Sequence, residues 1–242
     1  MARGTLYVGT SGFAYKEWKG VFYPEGLSDK KMLAHYSSML GTVEVNYTFR
    51  RWPSESTMEN WKTQSADGFK FTLKAPQRIT HTKRLKDVSD ETTEFVKRAR
   101  LLGDKLGTIL FQLPPNLKYD RERLVPFLES LPEGSLYAME FRHESWGDSE
   151  VAELLSGAQV AFCGADTEAT PVKKIPVTAR HVYLRLRRED YADEALDAWA
   201  DKVKATLDAG PDVYCYFKHE GGGVGPRYAV HVRDVVQKSG QR

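Results

Sequence analysis

The sequence predicts a closed (β/α)8 barrel of the TIM type, an α/β fold in which residues 1–242 form a single domain. Three observations support this prediction. The length of 242 residues is typical of an α/β barrel built as one domain. Eight short strand-like segments alternate with helix-like segments along the chain. No linker, low-complexity segment or block of like charge divides the sequence.

An open, doubly wound sheet is the alternative architecture. Sheets of that kind that bind dinucleotides carry a GxGxxG fingerprint after the first strand. The segment Gly9-Thr10-Ser11-Gly12 stands in the corresponding place and does not match this pattern. Eight strands without that fingerprint therefore favour a closed barrel.

The predicted strands are short runs rich in β-branched and aromatic residues, bounded by glycine, proline or polar residues. Pro114 and Pro115 end the fourth strand, because proline cannot donate a hydrogen bond to a neighbouring strand. In chain order the strands cover residues 5–10, 42–46, 69–74, 108–113, the beginning of 136–146, 159–164, 182–186 and 212–217.

Segments with apolar residues at helical spacing separate these strands. The first helix begins at Ser28 or Asp29, either of which can cap it, and Gly41 follows its end. Further helices are predicted from residue 54, at about 90–102, about 120–131, 149–156 and 193–209, and after residue 226. The connection 165–179 contains two prolines and is predicted to lack a full helix.

The composition is that of a soluble globular protein, with 41% hydrophobic and 28% charged residues. A net charge of +2 is too small to indicate a nucleic-acid partner by itself. Cys163 and Cys215 lie far apart in apolar runs, which favours reduced core thiols over a disulfide. The chain begins directly with a strand-like segment, and no apolar run is long enough to span a membrane. We therefore expect a cytoplasmic protein without a membrane partner.

The stretch 136–146, LYAMEFRHESW, begins with apolar residues and ends with a group of ionisable ones. Because side chains alternate along a strand, Glu140 and Arg142 share one face, opposite to His143. Two interpretations remain open. Glu140 and Arg142 contact one ligand, or they form an ion pair that closes the end of a core while His143 caps a loop.

Polar residues occur at or near the carboxyl end of every predicted strand. Catalytic groups of barrel enzymes come from this end of several strands, so the pattern predicts a concave, charged, ligand-binding mouth. A fully paired internal ion network is the alternative, since buried charges require partners. The candidates are Tyr15, Trp18, Glu44, Asn46, Lys74, Gln112, Glu140, Arg142, His143, Asp166 and Arg185.

Three of these residues are candidate catalytic groups. Glu44 and Glu140 are predicted to act as an acid and a base whose pKa values differ because their environments differ. Lys74 is predicted to act as an electrostatic clamp, with a Schiff-base nucleophile as the alternative. The remaining candidates are predicted to bind substrate: Asn46, Gln112, Arg142, His143, Asp166, Arg185, Tyr15 and Trp18.

No cofactor is indicated by a motif. A metal site formed by Glu44, Glu140, His143 and Asp166 is an alternative, but the sequence has no HExxH motif and its histidines are scattered. A metal is therefore possible but not favoured. No serine or cysteine stands in a nucleophile-elbow motif, so acyl transfer has no support.

Two loops combine basic and aromatic residues, at 49–52 and 80–86. Together with Arg185, Arg187 and Arg188 they predict a positive rim around the mouth. Such a rim suits a phosphorylated substrate or a nucleic-acid backbone, with Tyr15, Trp18 and Trp52 available for stacking. The glycine-rich run 221–226 follows the last strand, where many barrels bind phosphate.

Several segments, in order, resemble the YecE-like family, which carries a domain of unknown function numbered 72. They are GTSGFAYKEW, TVEVNYTFRRWP, FKFTLKAPQRITHTKRL, LGTILFQLPP, EFRHESW and VYCYFKHEGGG. The resemblance covers nearly the whole chain and implies a TIM-type barrel in a bacterial or archaeal cytosolic protein. It implies no reaction. Members usually carry asparagine and an acidic residue after the eighth strand, where this chain has Lys218-His219-Glu220.

From the candidate residues we expect an enzyme that acts on a small anionic substrate, phosphorylated or sugar-like, by acid/base or hydrolytic chemistry. The alternative is a module that binds nucleic acid through the basic rim of the same mouth without catalysis. A phosphate-binding module gains nothing from Glu44 and Glu140, whereas an acid/base enzyme requires carboxylates. The oligomeric state is left open.

Overall fold

The computed structural model describes residues 2–218 and 222–238. Its strands are all parallel and form a nearly closed barrel that helices surround. The predicted α/β barrel is therefore confirmed, although the described residues form nine strand segments instead of eight. The strands are β1 (Leu6–Ser11), β2 (Thr42–Val45), β3 (Lys70–Lys74), β4 (Leu106–Gln112), β5 (Leu136–Glu140), β6 (Ala161–Phe162), β7 (Gly164–Asp166), β8 (His181–Leu186) and β9 (Asp212–Phe217).

The strand order is β6-β5-β4-β3-β2-β1-β9-β8-β7, so the first and last strands of the chain are neighbours. β1 pairs with β2 on one side and with β9 on the other. The two ends of this order, β6 and β7, are consecutive in the chain and are separated by Cys163 alone. The single segment that contains both therefore bridges the wall between β5 and β8.

The sixth strand differs from its prediction at 159–164. Gln159 has a φ of 54° and lies in a turn, so the strand begins two residues later than predicted. β6 pairs only with β5, whereas β7 pairs only with β8. The two neighbours thus diverge at this point of the barrel, and the edge of β7 that faces β5 has no strand partner among the described residues.

The stretch 136–146 is a strand only as far as Glu140. The chain then leaves the sheet and forms a short 3-10 turn at Glu144–Trp146. Arg142 therefore lies beyond the strand rather than on its inner face.

The barrel interior is a packed core and not a channel. Along β9, Val213, Cys215 and Phe217 belong to the apolar layer between strands and helices, whereas Tyr214 and Tyr216 belong to a separate cluster inside the barrel. The same period-two alternation holds on the other strands, as expected for a sheet buried on both faces. This alternation directs polar side chains near the carboxyl ends of β2, β3, β4, β5 and β8 toward the barrel interior. They are Glu44, Lys74, Gln112, Glu140 and Arg185.

The helices of the described chain pack outside the barrel. They are α1 (Met32–Met39), α2 (Glu55–Gln64), α3 (Ser89–Ala99), α4 (Arg121–Glu129), α5 (Ser149–Gly157), α6 (Asp193–Asp208) and α7 (Val224–Lys238). Ser54 caps α2 by accepting a hydrogen bond from Thr57 N at 3.1 Å, and Asp120 caps α4 in the same way through Arg123 N at 3.2 Å.

The predicted absence of a helix after the sixth strand agrees with the structure. Residues 167–180, all of which are described, form no helix, and Pro171 and Pro176 lie within them. Cys163 and Cys215 are both free and buried, as predicted. Within the described ranges, no helix has the length and apolar character needed to cross a membrane.

Candidate active site at the carboxyl ends of the strands

The centre of the site is Arg185, which lies between two buried carboxylates. Its Nη2 is 2.8 Å from Glu44 Oε1, and its Nη1 is 2.6 Å from Glu140 Oε2. The second oxygen of each carboxylate is also bonded. Tyr183 OH donates to Glu44 Oε2 at 2.7 Å, and Gln112 Nε2 donates to Glu140 Oε1 at 2.8 Å. Every oxygen of both carboxylates thus accepts a hydrogen bond within the protein.

Strand register brings these groups together. Gln112 and Glu140 are direct neighbours in the pairing of β4 with β5. Arg185 follows Tyr183 by two residues on β8, so both side chains face the interior. Arg185 reaches across the barrel to β2 and β5, because its planar guanidinium presents donors on two sides. We call the set Glu44, Tyr183, Arg185, Glu140 and Gln112 the carboxylate network.

Lys74 extends the carboxylate network toward the open side of the barrel. Its Nζ donates to Gln112 Oε1 at 2.7 Å and lies 4.2 Å from the centre of the Phe49 ring. Lys74 is half-buried, whereas the carboxylate network is buried. The ammonium group therefore ends a hydrogen-bonded chain that begins inside the barrel.

Burial and charge act in opposite directions at the site. Burial opposes ionisation of Glu140, but the Arg185 guanidinium outweighs it and holds the pKa of Glu140 below its ordinary value. Burial alone would lower the pKa of Arg185, but Glu140 and Glu44 raise it well above its ordinary value. For Lys74, burial and then Arg185 lower the pKa to about 8, although Glu44 and Glu140 oppose the shift.

These environments assign different chemical capacities to the charged groups. Glu140 stays ionised over the physiological pH range, and each of its oxygens already accepts a hydrogen bond within the protein. Lys74 has donor capacity left and changes charge near neutral pH. Of the three predicted catalytic residues, Lys74 is consequently the most exposed and the one whose charge changes near neutral pH.

Two further residues belong to the site, although the sequence analysis assigned them only to the positive rim and not to the substrate-binding residues. His81 Nδ1 is 2.9 Å from Thr80 Oγ1, and its ring meets Phe49 edge-on at 4.9 Å between centres. Burial, and then the charges of Lys74 and Arg142, lower its pKa. Arg187 is close enough to lower the pKa of both Lys74 and Glu140. The spacing of two from Arg185 indicates that Arg187 faces the same side, but His81 lies in a single π-helical turn, which is too short to show a period.

The structure thus brings five of the predicted site residues into one network of contacts: Glu44, Lys74, Gln112, Glu140 and Arg185. The open question about Glu140 is also answered, because its ionic partner is Arg185 and not Arg142. Asn46 follows β2 directly and is half-buried, and Arg142 is exposed. His143 Nδ1 accepts a hydrogen bond from Ser145 N at 3.1 Å, which is the loop-capping alternative.

Asp166 is not part of this group. Ala165 packs against the interior cluster, so its neighbour Asp166 points outward. Its Oδ1 lies 3.0 Å from Arg188 Nη2, and its Oδ2 accepts from Tyr191 OH at 2.9 Å. Asp166 also accepts a hydrogen bond from Val172 N at 2.8 Å, so it holds the connection 167–180 against the segment that follows β8.

Trp18 is fully buried, which contradicts its predicted role as a stacking surface. It packs against Tyr15, Phe22 and Tyr23, with ring centres 4.8–6.0 Å apart. Tyr15 is half-buried, and its hydroxyl donates to Ser11 O at 3.0 Å. Both residues therefore stabilise the loop after β1.

The basic rim is only partly free. Arg78 and Lys83 both pair with Glu91, at 2.7 and 2.9 Å, and Arg188 pairs with Asp166. Other rim cations are exposed and form no ion pair with any residue in 2–218 or 222–238: Arg50, Arg51 and Arg142. Of the segment Lys218-His219-Glu220 and the glycine run 221–226, residues 219–221 lie outside the described residues.

An open cleft of about 1030 Å³ lies beside the site, between the segment after β5 and the connection 167–180. Glu140 and Cys163 line it together with residues of both segments. In the described part of the chain, no group of three or more His, Cys, Asp or Glu side chains is arranged to hold a metal ion.

A family model described as "Protein of unknown function DUF72" matches residues 7–242. The chain is 30% identical to the UPF0759 protein YecE of Escherichia coli (strain K12) over 139 residues, which are 57% of this chain and 48% of that protein. It is 29% identical to the UPF0759 protein YunF of Bacillus subtilis (strain 168) over 153 residues, 58% of this chain and 52% of that one. The chain therefore spans about half the length of these curated relatives. Among solved structures, a DUF72 family protein from Thermotoga maritima MSB8 matches with a TM-score of 0.82 at 28% identity, covering 96% of this chain and 99% of that one.

Proposed function

We propose that this chain, which belongs to the DUF72 family of proteins of unknown function, is an enzyme that acts on a small anionic substrate at the mouth of its barrel. The reaction is acid/base chemistry in which Lys74 transfers the proton. One observation carries this proposal. Lys74 is the only member of the chain of contacts Glu44–Arg185–Glu140–Gln112–Lys74 that is half-exposed, and its pKa is lowered to about 8.

A lysine with this pKa can serve as an acid and as a base. At pH 7.5, roughly a quarter of such amines are neutral, compared with about one in a thousand for an ordinary lysine. Acid/base catalysis is most effective when the pKa of the catalytic group lies near the working pH. Lys74 meets this condition because burial and Arg185 destabilise its ammonium form.

The charges around Lys74 favour an anionic substrate. Arg185 offsets one of the two buried carboxylates, and Arg187 and Arg142 add positive charge on the open side. An anion that binds beside Lys74 raises the pKa of the amine again, because opposite charges favour the ionised form. Substrate binding therefore favours the protonated form of the Lys74 amine.

Glu44 and Glu140 act in this proposal as positioning residues. Each of their four oxygens already accepts one hydrogen bond, from Arg185, Tyr183 or Gln112, and both side chains are buried, which disfavours them as acceptors of a substrate proton. Their function is to hold Arg185 and, through Gln112, to orient Lys74. A Schiff base between Lys74 and a substrate carbonyl is the second reaction compatible with a half-buried amine.

Nucleic-acid binding is the second candidate function, supported by the exposed and unpaired Arg50 and Arg51. It ranks below the enzyme for two reasons. Arg78 and Arg188 are already neutralised by carboxylates, which weakens the positive rim. Trp18 is buried and is not available to stack on a base.

The proposal is tested by the effect of small phosphates on the melting temperature. Ribose 5-phosphate and triose phosphates at about 100 times Kd add about 2.7 kcal/mol of stability. For a chain of this size the shift is about 5–10 °C. Lys74→Met should abolish the shift. Lys70→Met is the matched control, because it removes the same charge from the opposite end of the same strand.

Turnover of a responding ligand should be absent in Lys74→Met and should keep its rate in Lys70→Met. Borohydride treatment with a keto or aldehyde phosphate separates the two reactions, since only a Schiff base gives a reduced adduct on Lys74. A panel of anions that shifts neither the wild type nor the control overturns the proposal. Tight nucleic-acid binding that is lost in Arg50→Ala/Arg51→Ala would make the second candidate the function.

A further inference from the structure

We infer that the cleft beside the mouth binds the base and sugar of a nucleoside phosphate, so that the substrate is a phosphorylated nucleoside and not a bare sugar phosphate. This inference rests on the proposed function and names its substrate class. It depends on three features of the cleft: its origin in the barrel wall, its connection to Lys74 and the composition of its lining.

The cleft arises because the barrel wall is incomplete at the sixth strand. β6 pairs only with β5 and β7 only with β8, and the connection 167–180 contributes no helix to cover them. The resulting volume of about 1030 Å³ is slightly larger than the range of about 300–1000 Å³ that is typical of ligand pockets. A sugar phosphate alone would leave most of this space empty.

The cleft borders the carboxylate network at Glu140, which is linked to the proposed catalytic group by hydrogen bonds. Glu140 lines the cleft and accepts a hydrogen bond from Gln112 at 2.8 Å, and Gln112 in turn accepts one from Lys74 at 2.7 Å. Two hydrogen bonds therefore separate Lys74 from the cleft wall. In the inferred binding mode the phosphate lies at Lys74, and the sugar and base extend past Glu140 into the cleft.

One wall of the cleft is apolar and aromatic. Phe141 stacks on Trp146 with ring centres 4.4 Å apart, and Phe162 lies 5.3 Å from Phe141. Phe141 and Phe162 are half-buried, so ring edges remain accessible in the cleft. Pro171 and Pro176 add apolar surface from the connection 167–180. Such a wall suits a flat heteroaromatic ring.

The rest of the lining is polar and cationic. Lys173 and Lys174 are exposed at the cleft and form no ion pair with any residue the structure describes. Thr167 and Thr170 contribute hydroxyl groups, 2.7 Å apart. An acyl chain offers these lysines and hydroxyl groups no charge and no hydrogen-bonding group. A nucleoside phosphate presents a ring, hydroxyl groups and negative charge, and so matches all three kinds of lining.

The first experiment compares ligands on the wild-type protein. Isothermal titration should give Kd values for at least one nucleoside 5′-monophosphate that are about tenfold lower than for ribose 5-phosphate, a ratio equal to about 1.4 kcal/mol. If ribose 5-phosphate binds as tightly as every nucleotide, the inference is overturned and the proposed function stands. If neither class binds, both are overturned.

The second experiment locates the nucleotide. Lys173→Ala/Lys174→Ala should weaken nucleotide binding at least threefold. Lys30→Ala/Lys31→Ala is the control, because it removes two adjacent exposed lysines that do not line the cleft. Phe162→Ala should weaken nucleotide binding without changing the affinity for ribose 5-phosphate. Equal effects of both lysine pairs on nucleotide binding would overturn the assignment.

A photoreactive azido-nucleotide gives a readout that does not depend on any variant being folded. After irradiation of the wild type, peptide mapping should find the label within residues 141–147 or 162–176. Label confined to other segments would overturn the assignment, even if nucleotides bind tightly.

Discussion

Replacing Arg185 with methionine should destabilise the protein strongly and in a pH-dependent manner. Methionine keeps the length and apolar stem of the side chain but removes the charge that lies 2.8 Å from Glu44 and 2.6 Å from Glu140. Two buried carboxylates then remain without a cation in contact with them. One of them must take up a proton for the barrel to stay folded, because like charges in a buried site cannot both ionise.

The cost follows from the proton that must be bound. At pH 7 a carboxyl group with an ordinary pKa near 4.5 takes up a proton at a cost of about 3.4 kcal/mol. This value lies within the range of about 3–5 kcal/mol that is typical for breaking a buried ion pair from one side. At about 2–4 °C per kcal/mol for a chain of this size, the melting temperature should fall by about 7–14 °C.

The pH dependence distinguishes this explanation from simple loss of packing. In the wild type the pKa of Glu140 is below its ordinary value, so its stabilising effect is present above that value and is lost as the pH falls. In Arg185→Met, burial without a cation raises the carboxyl pKa, so the variant is most stable at low pH and loses stability as the pH rises. The difference between the two proteins should therefore shrink by about 3 kcal/mol between pH 7 and pH 4.5.

The measurement is urea or thermal unfolding of both proteins at pH 7 and pH 4.5. Arg51→Met is the control, because the same substitution at an exposed arginine should change stability by no more than about 0.5 kcal/mol. A loss below about 1 kcal/mol at pH 7, or a loss that is the same at both pH values, would refute the assignment of Arg185 as the counter-ion of both carboxylates.

Competitive acylation followed by peptide mass spectrometry should show that the Lys74 amine reaches half of its maximal acylation rate near pH 8. An acylation rate that rises only near pH 10 would contradict its buried environment. Asp166→Ala should lower the melting temperature by about 2–12 °C, because the buried donors of Arg188 and Tyr191 lose an acceptor worth about 1–3 kcal/mol. The affinity of this variant for ribose 5-phosphate should stay unchanged. A loss of affinity in a variant that remains folded would show that Asp166 contributes to substrate binding. Sulfate, whose charge is constant over this range, should raise the melting temperature more at pH 7 than at pH 9, because Lys74 loses its charge in between; equal shifts would exclude it as an anion contact.

The sequence by itself determined the architecture and the inward direction of the central residues. Strand and helix periodicities are local properties, so eight strand-like segments and their helices were visible without any knowledge of contacts. The period of two along a strand also placed Glu44, Gln112 and Arg185 on interior faces, because their neighbours on either side are apolar. The lack of a helix at 167–180 was equally predictable, since Pro171 and Pro176 interrupt one.

At strand ends and in the connecting segments, the sequence did not predict the positions of individual side chains. Arg142 was taken as the neighbour of Glu140 on one strand, but β5 ends before it. Asp166 was grouped with the mouth residues because it follows a strand, and Trp18 because aromatic residues after strands often stack on ligands. His81 was assigned only to the basic rim loop, because the single π-helical turn at Arg78–Thr82 is too short for a side-chain direction to be predicted.

Only the tertiary structure decided which groups pair and what charge each of them carries. Glu44, Glu140 and Arg185 come from strands up to 141 positions apart in the chain, and barrel closure alone brings them within hydrogen-bond distance. The pKa of Lys74 depends on its burial and on Arg185, neither of which is a property of the segment around it. The cleft exists because β6 and β7 pair with different neighbours. Side-chain direction is set by local backbone geometry, whereas pairing, burial and electrostatic environment are set by contacts between segments that are distant in sequence.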